Sequence, residues 1–434
     1  MRSWLLLLLT CVAATAAVGI GDLAGGWEAL MQVIVSNSTT IPIEETHPDP
    51  NFGIREEEEY ASLQSRLSRS TGTWNANHPR HRLLTALYGF SEYRSLNLAE
   101  VKRWRDLYKH VPASQKKVVE RVTGYTRKLN TVEHLFEEND KLAGDVLKNG
   151  MEFYGIGKEE FEEFVKEFKK EKKADRTSVV QAMKHFVRDW SEEGKFERED
   201  AFACVLAEIQ GIEHSGDRPV KVLLPGAGAG RLGYEINALG GFQVTINEWS
   251  AYMNLVYRYA AQMKTPNSLI YHPYIDWWSH HATTADMQRA VTFPDWIAES
   301  PQIVMVEGDF TTVFAESASG GYDVIVTFFF IDTARNLMAY IETIHRLLRK
   351  GGTWINLGPL LYGTGPWLQL SVDEIVKLSE EVGFDFDTAT GDQCGQFTPG
   401  LDGKVRSLYV PYAQNPKGLG KNAYEAQFWR AVKR

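Results

Sequence analysis

Residues 220–236 read VKVLLPGAGAGRLGYEI. An apolar run, Val220–Leu224, meets three glycines at alternate positions, Gly226, Gly228 and Gly230, and a helical pattern begins near Arg231. A short apolar run of this kind suits a strand covered on both faces. Glycine lets the backbone turn sharply and approach a ligand, and the N-terminus of the next helix offers unpaired N–H groups. Strand, glycine loop and helix in that order open a parallel α/β sheet with a ligand site at the carboxyl end of the strand. A tight strand–helix turn that holds no ligand has the same pattern.

Working outward, short apolar runs alternate with helical stretches toward the C-terminus. Candidate strands are Val220–Leu224, Gln243–Asn247, Ile303–Glu307, Tyr322–Phe330 and Thr353–Leu357. Two late runs, VRSLYVPYA (405–413) and YEAQFWRAVKR (424–434), have no helix between them and suggest a closing antiparallel pair. Residues 216–434 thus predict a mostly parallel sheet wrapped by helices. Upstream, residues 56–215 carry helical periodicity throughout; EEEEYASLQSRLSR (56–69), for example, sets Tyr60, Leu63 and Leu67 on one face. Residues 22–55, rich in Thr, Pro, Asn and Asp, are expected to be a loosely ordered leader.

The chain has 434 residues, 44% hydrophobic and 24% charged, with a formal net charge of −9. That is ordinary globular composition with room for more than one domain. The acidic balance argues against nucleic acid as the main partner. In KEFKKEKKADR (166–176) glutamates interleave with the lysines, as on a solvated helix face. The start, MRSWLLLLLTCVAATAAVGIGD (1–22), has Arg2, an apolar core and the small-x-small pattern Ala14-Thr15-Ala16. Residues 1–21 read as a secretory signal peptide, with an uncleaved anchor as the other reading. The chain is then expected in the secretory pathway or anchored to a membrane, and in the cytosol if its start is misassigned. Asn37-Ser38-Thr39 is a glycosylation sequon that suits a lumenal chain. Of three cysteines, Cys11 lies in the leader, Cys204 in the helical AFACVLAEI and reads as core, and Cys394 in a loop. The two cysteines beyond the leader could pair, but their spacing resembles neither a disulfide framework nor a zinc site, and no metal is expected.

Several polar residues stand where chemistry is expected. Glu248 follows the second strand, twenty residues past Gly228, where a carboxylate can accept the hydroxyls of a ribose. Gly228-x-Gly230-x-x-Gly233 also satisfies the dinucleotide fingerprint, so an NAD-dependent oxidoreductase stays open. VMVEGDF (304–310) ends in Asp309 and Phe310, a carboxylate for an adenine amino group and a ring for its face. In VTFFFIDTARN (326–336) an apolar strand runs into Asp332, at the carboxyl rim where an open sheet binds ligands. Asp332 also suits the N-cap of a helix beginning at DTARN. YIDWWSHHATT (274–284), with Trp277, Trp278, His280 and His281, reads as an ordered loop over the site or as packing.

The succession of glycine loop, two acids and a fourth strand with a polar end resembles class I S-adenosylmethionine (SAM) methyltransferases. LPGAGAGRLGYEI (224–236), NEWS (247–250), FFIDTARN (329–336) and INLGPLLY (355–362), with HFVRDWSEEGKFER (185–198) upstream, resemble the carnosine N-methyltransferase (N2227-like) family from about residue 56 onward. The resemblance implies a Rossmann-like, mostly parallel seven-stranded sheet with an all-helical N-terminal extension. It implies methylation, with SAM as co-substrate, of an imidazole nitrogen on a small histidine-containing dipeptide such as carnosine. It assigns His185, Arg188, Gly226, Gly228, Glu248, Asp309, Phe310 and Phe328 to the cofactor, and Asp332 and Tyr424 to the acceptor, with Asp332 catalytic; Asn336, one helical turn past Asp332, is expected to orient it or the substrate. Arg188 would pair with the methionine carboxylate, or else with acids on its helix surface. The chain departs from the family pattern at four places. His185 replaces a glutamine and Phe328 a cysteine; Gly363 stands where a histidine is usual, and Asn422-Ala423 precede Tyr424 in a tyrosine cluster. A catalytically silent SAM-binding relative is the remaining alternative.

Overall fold

The five apolar runs become parallel strands of one sheet. In the computed structural model, which describes residue 49 and residues 51–434 except 213–217, 318, 364 and 389–391, these are β1 (Val220–Pro225), β2 (Phe242–Glu248), β5 (Ile303–Glu307), β6 (Tyr322–Phe328) and β7 (Leu348–Gly358). The expected antiparallel pair is β10 (Arg406–Pro411) and β11 (Ala423–Lys433), and the order across the sheet is β5-β2-β1-β6-β7-β11-β10. β11 runs antiparallel to both β7 and β10. Two short additions, β8 (Phe384–Phe386) on β11 and β9 (Gln396–Phe397) on β10, raise the seven strands to nine. A separate ribbon, β3 (Leu269–Tyr271) with β4 (Val291–Phe293), has strands too short to show a period in sequence. The signal peptide or anchor, the Asn37 sequon and most of the 22–55 leader lie outside the described residues.

Side chains alternate across each strand, so one strand feeds two cores. Val222 and Leu224, Val324 and Val326, and Ile355 and Leu357 pack into one; Leu223, Ile325 and Trp354 pack into the other. The first core is shared with the helices α1 (Phe52–Leu67), α2 (Pro79–Ser91), α3 (Tyr93–Tyr108), α5 (Tyr125–Phe153), α7 (Arg176–Trp190) and α8 (Lys195–Gln210); α4 (Ala113–Thr123) and α6 (Lys158–Glu171) lie further out. Helices α9 (Arg231–Ala238) and α10 (Ala251–Ala260) complete that side. The second core takes α12 (Phe310–Val313), α13 (Leu337–Leu347) and α14 (Val372–Val382); α11 (Thr284–Gln288) is a single turn before β4. The N-terminal helices and one face of the sheet therefore share a single apolar core.

Three local expectations change. α1 begins at Phe52, four residues before the expected boundary at 56, because Asp49 accepts the Asn51 N–H at 3.0 Å and pairs with Arg55 at 2.6 Å. β6 ends at Phe328 rather than Phe330, since Phe329 turns out of the strand with φ +52°. Cys204 is not plain core: it forms a disulfide with Cys394, 190 residues away, with Cα atoms 4.9 Å apart. Spacing along the chain carries no trace of that pairing, because α8 and the loop before β9 meet only through the packing of the sheet.

Candidate functional site

The glycine loop turns with φ of +70° at Gly226, +59° at Gly228 and +86° at Gly230, a region open to glycine with little cost. A Cβ at Gly226 would stand 2.3 Å from the Phe330 ring. At Gly230 it would meet Tyr257 at 2.7 Å, and at Gly233 it would meet Ile246 at 2.7 Å. Gly230 and Gly233 thus let α9 and α10 close on β2, whereas Gly226 and Gly228 border a cavity of about 860 Å³ at the carboxyl edge of the sheet.

Glu248, the last residue of β2, is fixed by the backbone. Its Oε2 accepts the Gly228 N–H at 3.0 Å, and its Oε1 accepts the Trp249 and Ser250 N–H groups at 2.8 Å each. A carboxylate has about four lone-pair positions. One remains on Oε2 for a ligand hydroxyl. Burial raises the carboxyl above its usual range, against those three N–H groups. Asp309 caps α12, with Oδ1 accepting the Thr311 N–H at 2.8 Å and its hydroxyl at 2.6 Å. Beside it the buried Phe310 ring stands edge-on to Phe330 (5.5 Å) and Tyr340 (5.6 Å).

Helix α7 contributes the opposite wall. Its apolar face, Val179, Val180, Met183, Phe186, Val187 and Trp190, is buried in the core. His185 and Arg188 border the cavity. His185 Nδ1 lies 2.7 Å from Asp189 Oδ2. Burial works against the Asp189 charge, but His185 and Arg188 hold its carboxyl below the usual range. The Arg188 side chain is 17% exposed, not on the helix surface, and its nearest carboxylates, Asp189 and Glu197, are both 3.9 Å from Nε. Its guanidinium lies 4.2 Å over the Tyr412 ring. Burial would lower its pKa, yet Tyr412, Asp189 and Glu197 keep it raised. A buried cation whose two neighbouring carboxylates both stand beyond hydrogen-bond distance, at 3.9 Å, is suited to an anionic ligand group. All eight residues assigned to the cofactor border this one cavity.

The acceptor residues divide. Asn336 borders the cavity; Asp332 and Tyr424 are not among its lining residues. Asp332 neither ends the strand nor caps a helix. It sits in a 3₁₀ turn, Ile331–Thr333, and α13 starts at Leu337 with Asn336 in the N-cap position. The Asp332 carboxylate instead accepts the Leu361 N–H at 2.9 Å. It is 7% exposed, and burial lifts its pKa to about 6. Its charge acts on Tyr362 and Tyr424, whose hydroxyls are raised first by burial. Tyr424 meets Phe329 at 6.2 Å and Tyr412 at 5.8 Å, and Phe329 stacks on Tyr412 at 5.0 Å and 9°. Tyr412 joins this group without having been singled out in the sequence; its only signal was an aromatic residue in the β10–β11 turn. At the departures, a Cβ on Gly363 would meet nothing within 4 Å, and Asn422 donates to the Tyr412 carbonyl at 2.7 Å.

The loop of residues 274–284 lines a second chamber of about 440 Å³, which shares His185, Arg188 and Tyr412 with the first. Trp277, His280 and His281 border it. Trp278 packs on Trp104 at 4.7 Å instead, and His281 Nε2 lies 2.7 Å from the Trp277 carbonyl. Among the described residues no group of three or more His, Cys, Asp or Glu side chains is placed to hold a metal ion.

The sequence model of the carnosine N-methyltransferase family matches residues 165–434. The carnosine N-methyltransferase of Mus musculus is 36% identical over 229 residues, covering 49% of this chain and 56% of that one. That of Schizosaccharomyces pombe is 34% identical over 231 residues, 48% of this chain and 62% of that one. The match thus spans little more than half the length of these relatives. Among solved structures, phosphoethanolamine N-methyltransferase 2 of Haemonchus contortus covers 59% of this chain and 57% of that one at 13% identity, with a TM-score of 0.37, a likeness too loose to bear on function. The family match takes in the glycine loop, both acids and the α7 wall, and this chain belongs to the carnosine N-methyltransferase family.

Proposed function

We propose that this chain is a SAM-dependent N-methyltransferase acting on an imidazole nitrogen of a small histidine-containing dipeptide such as carnosine, or of a related compound. The observation that carries the proposal is the single cavity bordered by Gly226, Gly228, Glu248, Asp309, Phe310, Phe328, His185 and Arg188. SAM supplies a methyl group on a sulfonium centre. In this reading the glycine loop admits its backbone-like portion, Arg188 pairs with its carboxylate, Glu248 accepts a ribose hydroxyl and Asp309 takes the adenine amino group. The acceptor approaches from the side of Phe329, Tyr412 and Tyr424. Imidazole carries one N–H and one lone pair near neutral pH. A carboxylate on the N–H fixes the tautomer, aims the other nitrogen at the methyl carbon and stabilises the imidazolium that forms. Asp332, ionised above pH 6, has that role here. The relatives named carnosine N-methyltransferase support the reading. The NAD alternative loses ground, because Gly230, the fingerprint position that would let the backbone approach a pyrophosphate, is closed against Tyr257 instead.

We also propose passage through the secretory pathway, with the leader read as a signal peptide. The Cys204–Cys394 disulfide supports an oxidising compartment. The function is tested with labelled SAM against a panel of imidazole compounds, followed by mass spectrometry of the product. A methylated histidine dipeptide is expected; bound SAM with no transfer to any imidazole would identify a silent relative.

A further inference from the structure

We propose that the N-terminal helix α2 completes the cofactor site: Arg82 holds the indole of Trp249 as a wall against which the purine of SAM packs. The proposal rests on the SAM reading above. Trp249 directly follows Glu248, to whose carboxylate its N–H donates at 2.8 Å. The residue is 54% exposed, yet it borders the same cavity as Asp309 and Tyr340. A large aromatic held open at the mouth of a ligand cavity is an unfilled stacking surface. The ring is also held in place. The Arg82 guanidinium lies 3.7 Å from the indole centroid and donates to the Trp249 carbonyl.

A cation over an indole is an electrostatic attraction, strongest when partly desolvated. Burial lowers the Arg82 pKa to about 10, against the pull of Glu248 and Asp309. Asn77, just before α2, borders the same cavity. Both Asn77 and Arg82 precede residue 165, where the family match begins, so the support of this wall comes from a part of the chain outside it. Arg82 is then a positioning residue that acts through Trp249.

The test uses the full chain and two probes, S-adenosylhomocysteine and 5′-methylthioadenosine, which share the adenosine but not the amino-acid end. Trp249→Ala should weaken both by the same factor, roughly 10-fold, the scale of losing one base–aromatic stack. Trp249→Phe should restore most of the loss. Arg82→Ala or Arg82→Gln should weaken both probes, and the double variant should bind no worse than Trp249→Ala alone. Melting curves check that each variant is folded; if Trp249→Ala is not, Trp249→Phe and Arg82→Gln carry the comparison. Binding unchanged in folded variants, a loss confined to the probe with the amino-acid end, or additive losses in the double variant would overturn the proposal. If the unmodified chain binds neither probe, the SAM reading falls with it; if it binds both and the variants match it, only the wall falls.

Discussion

Asp332→Asn separates catalysis from folding at one residue. In the folded chain the Asp332 carboxyl is raised from 3.8 to about 6, first by burial and against the Leu361 N–H. The protonated form is thus the one the fold prefers. Its contribution to stability is fully present below about pH 3.8 and is lost as pH rises through about 6. At ~1.4 kcal/mol per pH unit, keeping Asp332 ionised at pH 8 costs about 3 kcal/mol. Asparagine keeps the shape and can still accept the Leu361 N–H, but has no charge to desolvate. The variant should therefore match the wild type near pH 4 and exceed its stability at pH 8, by up to about 3 kcal/mol. Turnover should move the other way, falling about 100- to 1,000-fold with the loss of one electrostatic contact to the forming imidazolium. The wild-type rate should itself fall as pH drops below about 6, a limb absent from the variant. Urea denaturation at pH 4 and pH 8, with turnover and SAM affinity measured on the same protein, tests all of this. A variant no more stable at pH 8 than the wild type, or as active per folded molecule, refutes the reasoning.

Further outcomes follow from other parts of the site. Glu248→Ala should weaken SAM binding by about 1.5–3 kcal/mol, the scale of hydrogen bonds to a charged group; unchanged affinity by calorimetry removes Glu248 from the site. Cys204→Ser should lower stability by up to about 5 kcal/mol, since the disulfide closes a long loop in the unfolded chain; the comparison is denaturation of both proteins with and without reductant, and equal midpoints without reductant would contradict it. Expressed in eukaryotic cells, the chain should lose its leader and carry a glycan at Asn37, and intact-mass analysis showing an unprocessed, unglycosylated N-terminus would count against secretion.

Much of the fold was legible because it rests on local rules. A run such as Val220–Leu224 suits a strand buried on both faces, and Gly226, Gly228 and Gly230 after it suit a turn that needs positive φ, as each of them has. The cofactor half of the site follows from these, since Glu248 and Asp309 stand next to strand ends whose position in a parallel sheet is set by topology. The Cys204–Cys394 pairing, the stack of Tyr412 on Phe329 and the cation of Arg82 over Trp249 are different. Each joins segments far apart in sequence, so no periodicity or spacing encodes it. Asp332 lies between the two cases. Its place after an apolar run was evident, but a single left-handed residue, Phe329, ended the strand early and turned the carboxylate toward Leu361. That turn is set by close packing against Gly358, where a Cβ would come within 3.0 Å of the Phe329 backbone. The sequence by itself determined which polar residues stand at strand ends and in the glycine loop; the tertiary structure decided which of them share a cavity and which carboxylate is buried enough to titrate near pH 6. Local conformation depends on near neighbours, while burial and charge proximity depend on the whole packed chain.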